Sequence, residues 1–327
     1  MNILFYLNRG WTRYVGSSPF YTLACGAEDN PDCTVIWAED FSVMPPEVAT
    51  CDVLVTDMDP TVSGWFPKVR EGVVKVCLDG DMHRFTKEEC DLYRSLIPRY
   101  DIVLSQYVFS TPLDWVFTPT KEERKSFVFF PHMVPDMPRQ RGPGELGGVQ
   151  SGLNNSRSYP FRTWLNLLNL PFDTILEHPG YSDPSAMIEA RESFCGILDR
   201  HKVSVTGLAL GENGYTVAKY FEIPYAGCLL VAEEPCSVDR EVLGFRSGKN
   251  CFLFRQGDVG LRDLYIDVLA NWDRYLPVAE AGCRLVMAKH TVRHRLIYLK
   301  AIVNHFRDNG AIPQVSEQIH LFGDATG

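Results

Sequence analysis

Between Gly207 and Val231 the chain reads Gly-Leu-Ala-Leu-Gly-Glu-Asn-Gly-Tyr-Thr-Val-Ala-Lys-Tyr-Phe-Glu-Ile-Pro-Tyr-Ala-Gly-Cys-Leu-Leu-Val. This order predicts a strand, a glycine-bearing loop reaching Gly214, a helix carrying Lys219 and Glu222, and a glycine turn before the next strand. In such a loop, backbone N–H groups can approach a diphosphate at the positive end of the helix. Lys219 and Glu222 are three apart, on neighbouring faces, where one can meet a phosphate and the other a ribose diol. The same spacing describes an ordinary solvated helix face, so the pattern needs support from its surroundings.

Two carboxylate pairs follow strand-like runs in the first half: Asp57-Met-Asp59, and Asp79 and Asp81 in Leu78-Asp-Gly-Asp-Met-His83-Arg84. Both spell Asp-x-Asp, which can hold Mn²⁺ or Mg²⁺ against a diphosphate. Both also suit a turn or a helix cap, where aspartate bonds to local backbone. Two other nucleotide chemistries are disfavoured by spelling. The first strand is followed by Asn8-Arg-Gly10-Trp-Thr-Arg-Tyr-Val-Gly16, which is not G-x-G-x-x-G, and Gly244-Phe-Arg-Ser-Gly248-Lys249-Asn250 lacks the spacing and final hydroxyl of a phosphate-binding Walker loop.

The elements that must position these residues are those of an α/β protein. A length of 327 residues predicts two domains, and 45% hydrophobic with 22% charged residues is ordinary globular usage. A net charge of −9 disfavours nucleic acid as a partner. Ten cysteines with no CxxC pair suggest reduced core residues in a cytoplasmic protein, and neither a zinc site nor a disulfide framework. The N-terminus reads as a strand and not as a signal peptide, and no apolar run suffices for a transmembrane helix.

Strand-like runs fall at Ile3–Leu7, Thr34–Ala38, Val53–Thr56, Val73–Leu78, Ile102–Ser105 and Phe127–Phe130, several ending on a polar residue. The proline- and glycine-rich stretch from Pro135 to Gly148 predicts a linker. Beyond it strands are expected at Gly148–Ser151, Thr174–Glu177, Val203–Thr206, Cys228–Ala232 and Cys251–Phe254, with helices near Tyr159–Asn169, Pro184–Arg200 and Tyr215–Tyr225. From Leu261 to about Arg307 the chain predicts two or three helices, and then a loose tail. The boundaries expected are residues 1–140 for an N-terminal domain, 141–308 for a C-terminal domain with terminal helices, and 309–327 for the tail.

The segment Lys219-Tyr-Phe-Glu222-Ile-Pro-Tyr-Ala-Gly227 is followed by Leu243-Gly-Phe245, Gly248-Lys-Asn250, Ala281-Gly282 and His290-Thr-Val-Arg293-His-Arg295. With Ser151-Gly152 and Tyr159-Pro-Phe-Arg162 upstream, this order resembles the donor-binding half of CgeB-like glycosyltransferases, within the wider GT-B class of family-4-like enzymes. The resemblance spans Val149 to Arg295; the first half shares only the α/β pattern.

The resemblance implies two facing Rossmann-like domains and transfer of a sugar from a nucleotide-diphosphate donor to a hydroxyl of a glycan or related acceptor, with no essential metal or other cofactor. It implies that Glu222 binds the ribose, that Lys219 lies near the diphosphate, and that Arg162 and the Ser151-Gly152 turn make further phosphate contacts. The longer E-x7-E pattern is not reproduced, since the residue eight beyond Glu222 is Leu230. The N-terminal domain is then expected to hold the acceptor and a general base, with Asp79, Asp81 and His83 the first candidates and Asp57 and Asp59 the second. His132 is a candidate sugar contact, or a hydrogen-bonded loop residue. The basic run Lys289–Arg295 is read as a helix face, solvated or packed, ahead of a phosphate or membrane contact. Two rival readings stay open: a non-catalytic carbohydrate-binding or coat-associated protein of the same fold, and a metal-dependent Asp-x-Asp transferase.

Overall fold

Each of the two expected sheets is present and wholly parallel. The computed structural model describes residues 1–8, 19–78, 87–106, 123–138, 144–152, 156, 158–176, 194, 196–210 and 214–325. Strands β1 (Ile3–Asn8), β2 (Cys33–Ala38), β3 (Val53–Asp57), β4 (Val74–Leu78), β5 (Ile102–Ser105) and β6 (Phe127–Phe129) form one sheet in the order β2-β1-β3-β4-β5-β6. Strands β7 (Leu146–Ser151), β8 (Thr174–Leu176), β9 (His201–Thr206), β10 (Leu229–Glu233) and β11 (Phe252–Phe254) form the other, ordered β11-β10-β9-β7-β8. The central strands are apolar runs buried on both faces, as Ile3–Leu7 and Leu229–Ala232 are, because helices cover both sides of a parallel sheet.

The chain divides into two compact units, residues 1–131 with 292–327, and residues 132–291. The first contains helices α1 (Pro19–Ala27), α2 (Pro60–Trp65) and α3 (Lys87–Leu96). The second contains α4 (Pro160–Leu165), α5 (Lys219–Tyr225), α6 (Ser237–Leu243), α7 (Gly260–Ala270) and α8 (Trp272–Lys289). The chain then returns to the first unit with α9 (Val292–Asn309) and α10 (Val315–Ala325).

Two sequence expectations are corrected here. Residues 292–308 belong with the N-terminal sheet and not with the C-terminal one, and most of the expected tail is a packed helix. Amphipathic periodicity shows that a helix buries a face without showing against which sheet. In α10 the buried stripe is Gln318, Phe322 and Ala325, and its polar first member hides the pattern. Gln318 is satisfied in place: its Oε1 accepts the Phe129 N–H at 3.0 Å, and its Nε2 donates to the Pro313 carbonyl at 2.9 Å.

The expected helix over Tyr215–Tyr225 begins four residues late, at Lys219, because Tyr215 pairs with Ala209 in an antiparallel bridge. The helix stops where Gly227, at φ +81°, follows its C-cap, so the predicted glycine turn is present. The basic run Lys289–Arg295 is largely interior: His290, His294 and Arg295 are buried, and Arg293 is exposed. Among the described residues no helix is long and apolar enough to cross a membrane.

Candidate functional site

In the 132–291 unit the strand order reverses between β7 and β9, since β8 lies on one side of β7 while β9 to β11 continue on the other. Open parallel sheets bind their ligands beyond the C-terminal ends of the strands at such a point. Ser151 ends β7 and Thr206 ends β9, and both are buried. Ser151 Oγ has no hydrogen-bond partner among the described residues. An unpaired buried hydroxyl costs about 1–3 kcal/mol, and a ligand oxygen at this strand end would remove that cost.

Arg162 bridges the two strand ends. Helix α4 opens on Pro160, whose fixed φ suits the first helical turn, and two residues later presents Arg162. The guanidinium lies 4.0 Å from the ring centroid of Tyr159, and its Nη2 donates to Thr206 Oγ1 at 3.4 Å. It is 3% exposed, so its charge acts in a poorly screened setting. Beside it Gly152 has φ +105°, a conformation that favours glycine. A methyl group at that position would collide with Arg162 Nη1 and lie 3.3 Å from Lys219 Cε. The absence of a side chain at Gly152 therefore lets two cationic side chains from different helices meet over the end of β7.

Lys219 starts α5, with its ammonium 4.8 Å from the ring centroid of Phe194. Of the seven residues of the helix, Lys219 and Glu222 are the two that are not buried, and their three-residue spacing puts them on the accessible side. Among the described residues none hydrogen-bonds or ion-pairs with the Glu222 carboxylate. A free carboxylate one turn from a lysine can accept two hydroxyl hydrogen bonds from a diol while the lysine faces an anion.

The loop leaving β9 differs from its expected role. Three of its described N–H groups are already used: Leu208 donates to Glu233 Oε2 at 2.9 Å, Ala209 to the Tyr215 carbonyl at 3.1 Å, and Leu210 to the Ser158 carbonyl at 2.7 Å. These three donors brace the loop instead of reaching a diphosphate. Gly214 is buried just before Tyr215, and residues 211–213 lie outside the described residues.

The structure thus brings together Ser151, Gly152, Arg162 and Lys219, with Glu222 on the same helix as Lys219. His132 is 6% exposed and its ring lies 6.1 Å from that of Phe221, on the buried side of α5 and not on the side of Lys219 and Glu222. Asp79, Asp81 and His83 lie outside the described residues. Asp59 caps α2, accepting from the Thr61 and Val62 N–H groups at 2.7 and 3.3 Å, and Asp57 Oδ2 accepts the Asn8 N–H at 2.7 Å. Asp59 is therefore engaged as a helix cap, and Asp57 in a bond to the end of the neighbouring strand β1. Sequence reasoning missed Tyr159, Thr206 and Glu233. The signal available was position, since Thr206 and Glu233 are polar residues closing apolar strands.

No protein-family model matches the chain, and no curated protein matches it. Solved structures do resemble it. HepE of Anabaena, in complex with UDP and glucose, is similar over 93% of this chain and 99% of its own, with 11% identity and a TM-score of 0.57. Sucrose-phosphate synthase of Thermosynechococcus elongatus is similar over 94% and 100%, with 10% identity and a TM-score of 0.58. An alpha-glucosyltransferase in complex with UDP and a 13-mer DNA is similar over 93% and 99%, again with 10% identity and a TM-score of 0.58. At these identities the likeness is one of fold: the chain has the GT-B fold, built from two parallel sheets with flanking helices.

Proposed function

We propose that the protein is a glycosyltransferase whose 132–291 unit binds a nucleotide-diphosphate sugar. The observation that carries this reading is the meeting of Arg162 and Lys219 over Gly152, at the sheet's reversal point and beside the unpaired Ser151 hydroxyl. Glu222, only partly buried and without a partner among the described residues, is the proposed ribose ligand. Proteins of the same fold bound to UDP, among them HepE and the alpha-glucosyltransferase, support a nucleotide-sugar donor. The spelling around Lys219 and Glu222 further supports the CgeB-like branch.

In the reaction an acceptor hydroxyl oxygen forms a bond to the anomeric carbon of the sugar, and the bond from that carbon to the diphosphate oxygen breaks. The electron pair leaves with the diphosphate. Arg162 and Lys219 are placed to neutralise the charge that grows there, a stabilisation worth most in a water-poor site. Two side-chain cations make a metal-independent transfer the preferred form of the proposal. For the proton lost by the acceptor, Asp79, Asp81 and His83 remain the proposed groups.

The test begins with calorimetric titration of UDP, GDP and dTDP into the full-length protein. One of them is expected to bind, and Glu222→Ala is expected to weaken it by about 10- to 100-fold through loss of charge-assisted hydrogen bonds. Failure of all three to bind would sink the proposal. A panel of nucleotide sugars with glycan acceptors then reads release of nucleoside diphosphate; binding without release favours a non-catalytic carbohydrate-binding protein.

A further inference from the structure

We propose that Glu233 is a positioning residue for the donor site, holding the loop after β9 and helix α5 in fixed relation to each other. It occupies the last position of β10 and is 3% exposed. Its Oε2 accepts the Leu208 N–H at 2.9 Å, and its main-chain carbonyl accepts the Tyr220 hydroxyl. Leu208 lies two residues past Thr206, the Arg162 partner, while Tyr220 lies between Lys219 and Glu222. One residue therefore ties down both segments that carry the proposed ligand groups.

The choice of residue needs a reason, because an ionisable side chain at a buried strand end is costly unless it is well paired. A carboxylate is also a stronger acceptor for a backbone N–H than a neutral group. The loop has a use for that strength. Leu210 holds φ +74°, a left-handed conformation that a leucine adopts only under restraint. The neighbouring restraints on the loop, from Tyr215 and Ser158, come from backbone carbonyls, and Glu233 adds a side-chain acceptor at its start. The local packing leaves room for it: a methyl group at Gly207 would lie 3.2 Å from Glu233 Oε2 and 2.9 Å from Phe161 Cβ. Phe161 immediately precedes Arg162, so the same loop also rests on the helix that carries the guanidinium.

This inference rests on the donor-site reading above, and the experiment separates the two. UDP, GDP and dTDP are titrated calorimetrically into the full-length wild-type protein and into Glu233→Ala, Glu233→Gln and Tyr220→Phe. Glu233→Ala is expected to lose roughly tenfold in affinity for the nucleotide that the wild type binds, with faster amide exchange at residues 208–210. Glu233→Gln keeps an oxygen for the Leu208 N–H and is expected to stay within about threefold of the wild type. If the wild type binds one of the three and Glu233→Ala binds it equally well, the role of Glu233 is refuted while the donor site stands. If the wild type binds none, the donor-site reading itself fails, and this inference with it. Should Glu233→Ala not fold, Tyr220→Phe decides, since it removes only a hydroxyl: an affinity loss of about threefold or more supports the tie, and wild-type affinity overturns it.

Discussion

At the scale of single residues, the site depends on a side chain that is missing. Gly152 leaves room for Arg162 and Lys219 and adopts φ +105°. Gly152→Ala is expected to displace the guanidinium and to weaken nucleotide binding by about tenfold or more, while leaving the secondary structure intact; calorimetry paired with circular dichroism checks it. A second residue, Asp239 on α6, concerns stability. It is 1% exposed, and burial, only partly offset by a hydrogen bond with the Cys236 side chain, pushes its pKa up from 3.8 to about 7. Between those values the folded state keeps a proton that the unfolded state has released, so stability falls as the pH rises from about 4 to about 7. Asp239→Asn is therefore expected to raise the melting temperature at pH 8, by an amount equivalent to no more than about 4 kcal/mol, and to change it little near pH 4. A wild-type protein that gains stability over the same pH interval through this residue would contradict the assignment.

At the scale of elements, α5 carries Lys219 and Glu222 but is too short to hold itself in place, since isolated helices of one or two turns are unstable in water. Its position comes from packing against α8 and β10. Gly282 of α8 lies against α5 and against the turn before β11, and a methyl group there would stand 2.6 Å from the Asn250 carbonyl oxygen and 3.4 Å from Pro224 Cβ. The first of these contacts is with backbone, which cannot swing aside. Gly282→Ala is expected to destabilise the protein by about 1–3 kcal/mol and, by shifting α8 against α5, to weaken nucleotide binding as well. Thermal unfolding and calorimetry on the one variant measure both effects. Wild-type values in each would show that the helices can separate without disturbing the site.

At the scale of the whole molecule, the chain leaves its first unit after Pro131 and comes back to it at Val292. The returning helices are bound to the first sheet by buried polar and aromatic groups. Arg295, fully buried, donates from Nε to the Pro131 carbonyl at 2.9 Å and lies 4.7 Å from the ring centroid of Phe322, and burial lowers its pKa to about 9. Phe322 meets Tyr298 edge to face at 5.2 Å. Phe322→Ala is expected to cost about 3–5 kcal/mol, because it opens a cavity and uncovers the guanidinium. Unfolding should then start in residues 1–131 and 292–327, with faster amide exchange there than in 132–291. Equal acceleration in both units would mean that they unfold as one.

Much of this architecture was legible from local pattern alone. Every expected strand is present within a residue or two, from Ile3–Leu7 to Cys251–Phe254, the central ones because a strand buried on both faces must be an apolar run. The glycine turn after Tyr225 was equally readable, since helices commonly end on a left-handed glycine. Lys219, Glu222, Arg162 and the Ser151-Gly152 turn could be nominated through the family resemblance that their order along the chain carries. Their meeting could not, because Gly152 and Lys219 are far apart in sequence and are joined only by the order in which the strands assemble. Tertiary structure alone decided that Leu208 donates to Glu233 and that the C-terminal helices join the first sheet. The physical reason is common to both: periodicity and turn chemistry act over a few residues, whereas the partner of a buried group is chosen by packing between distant segments.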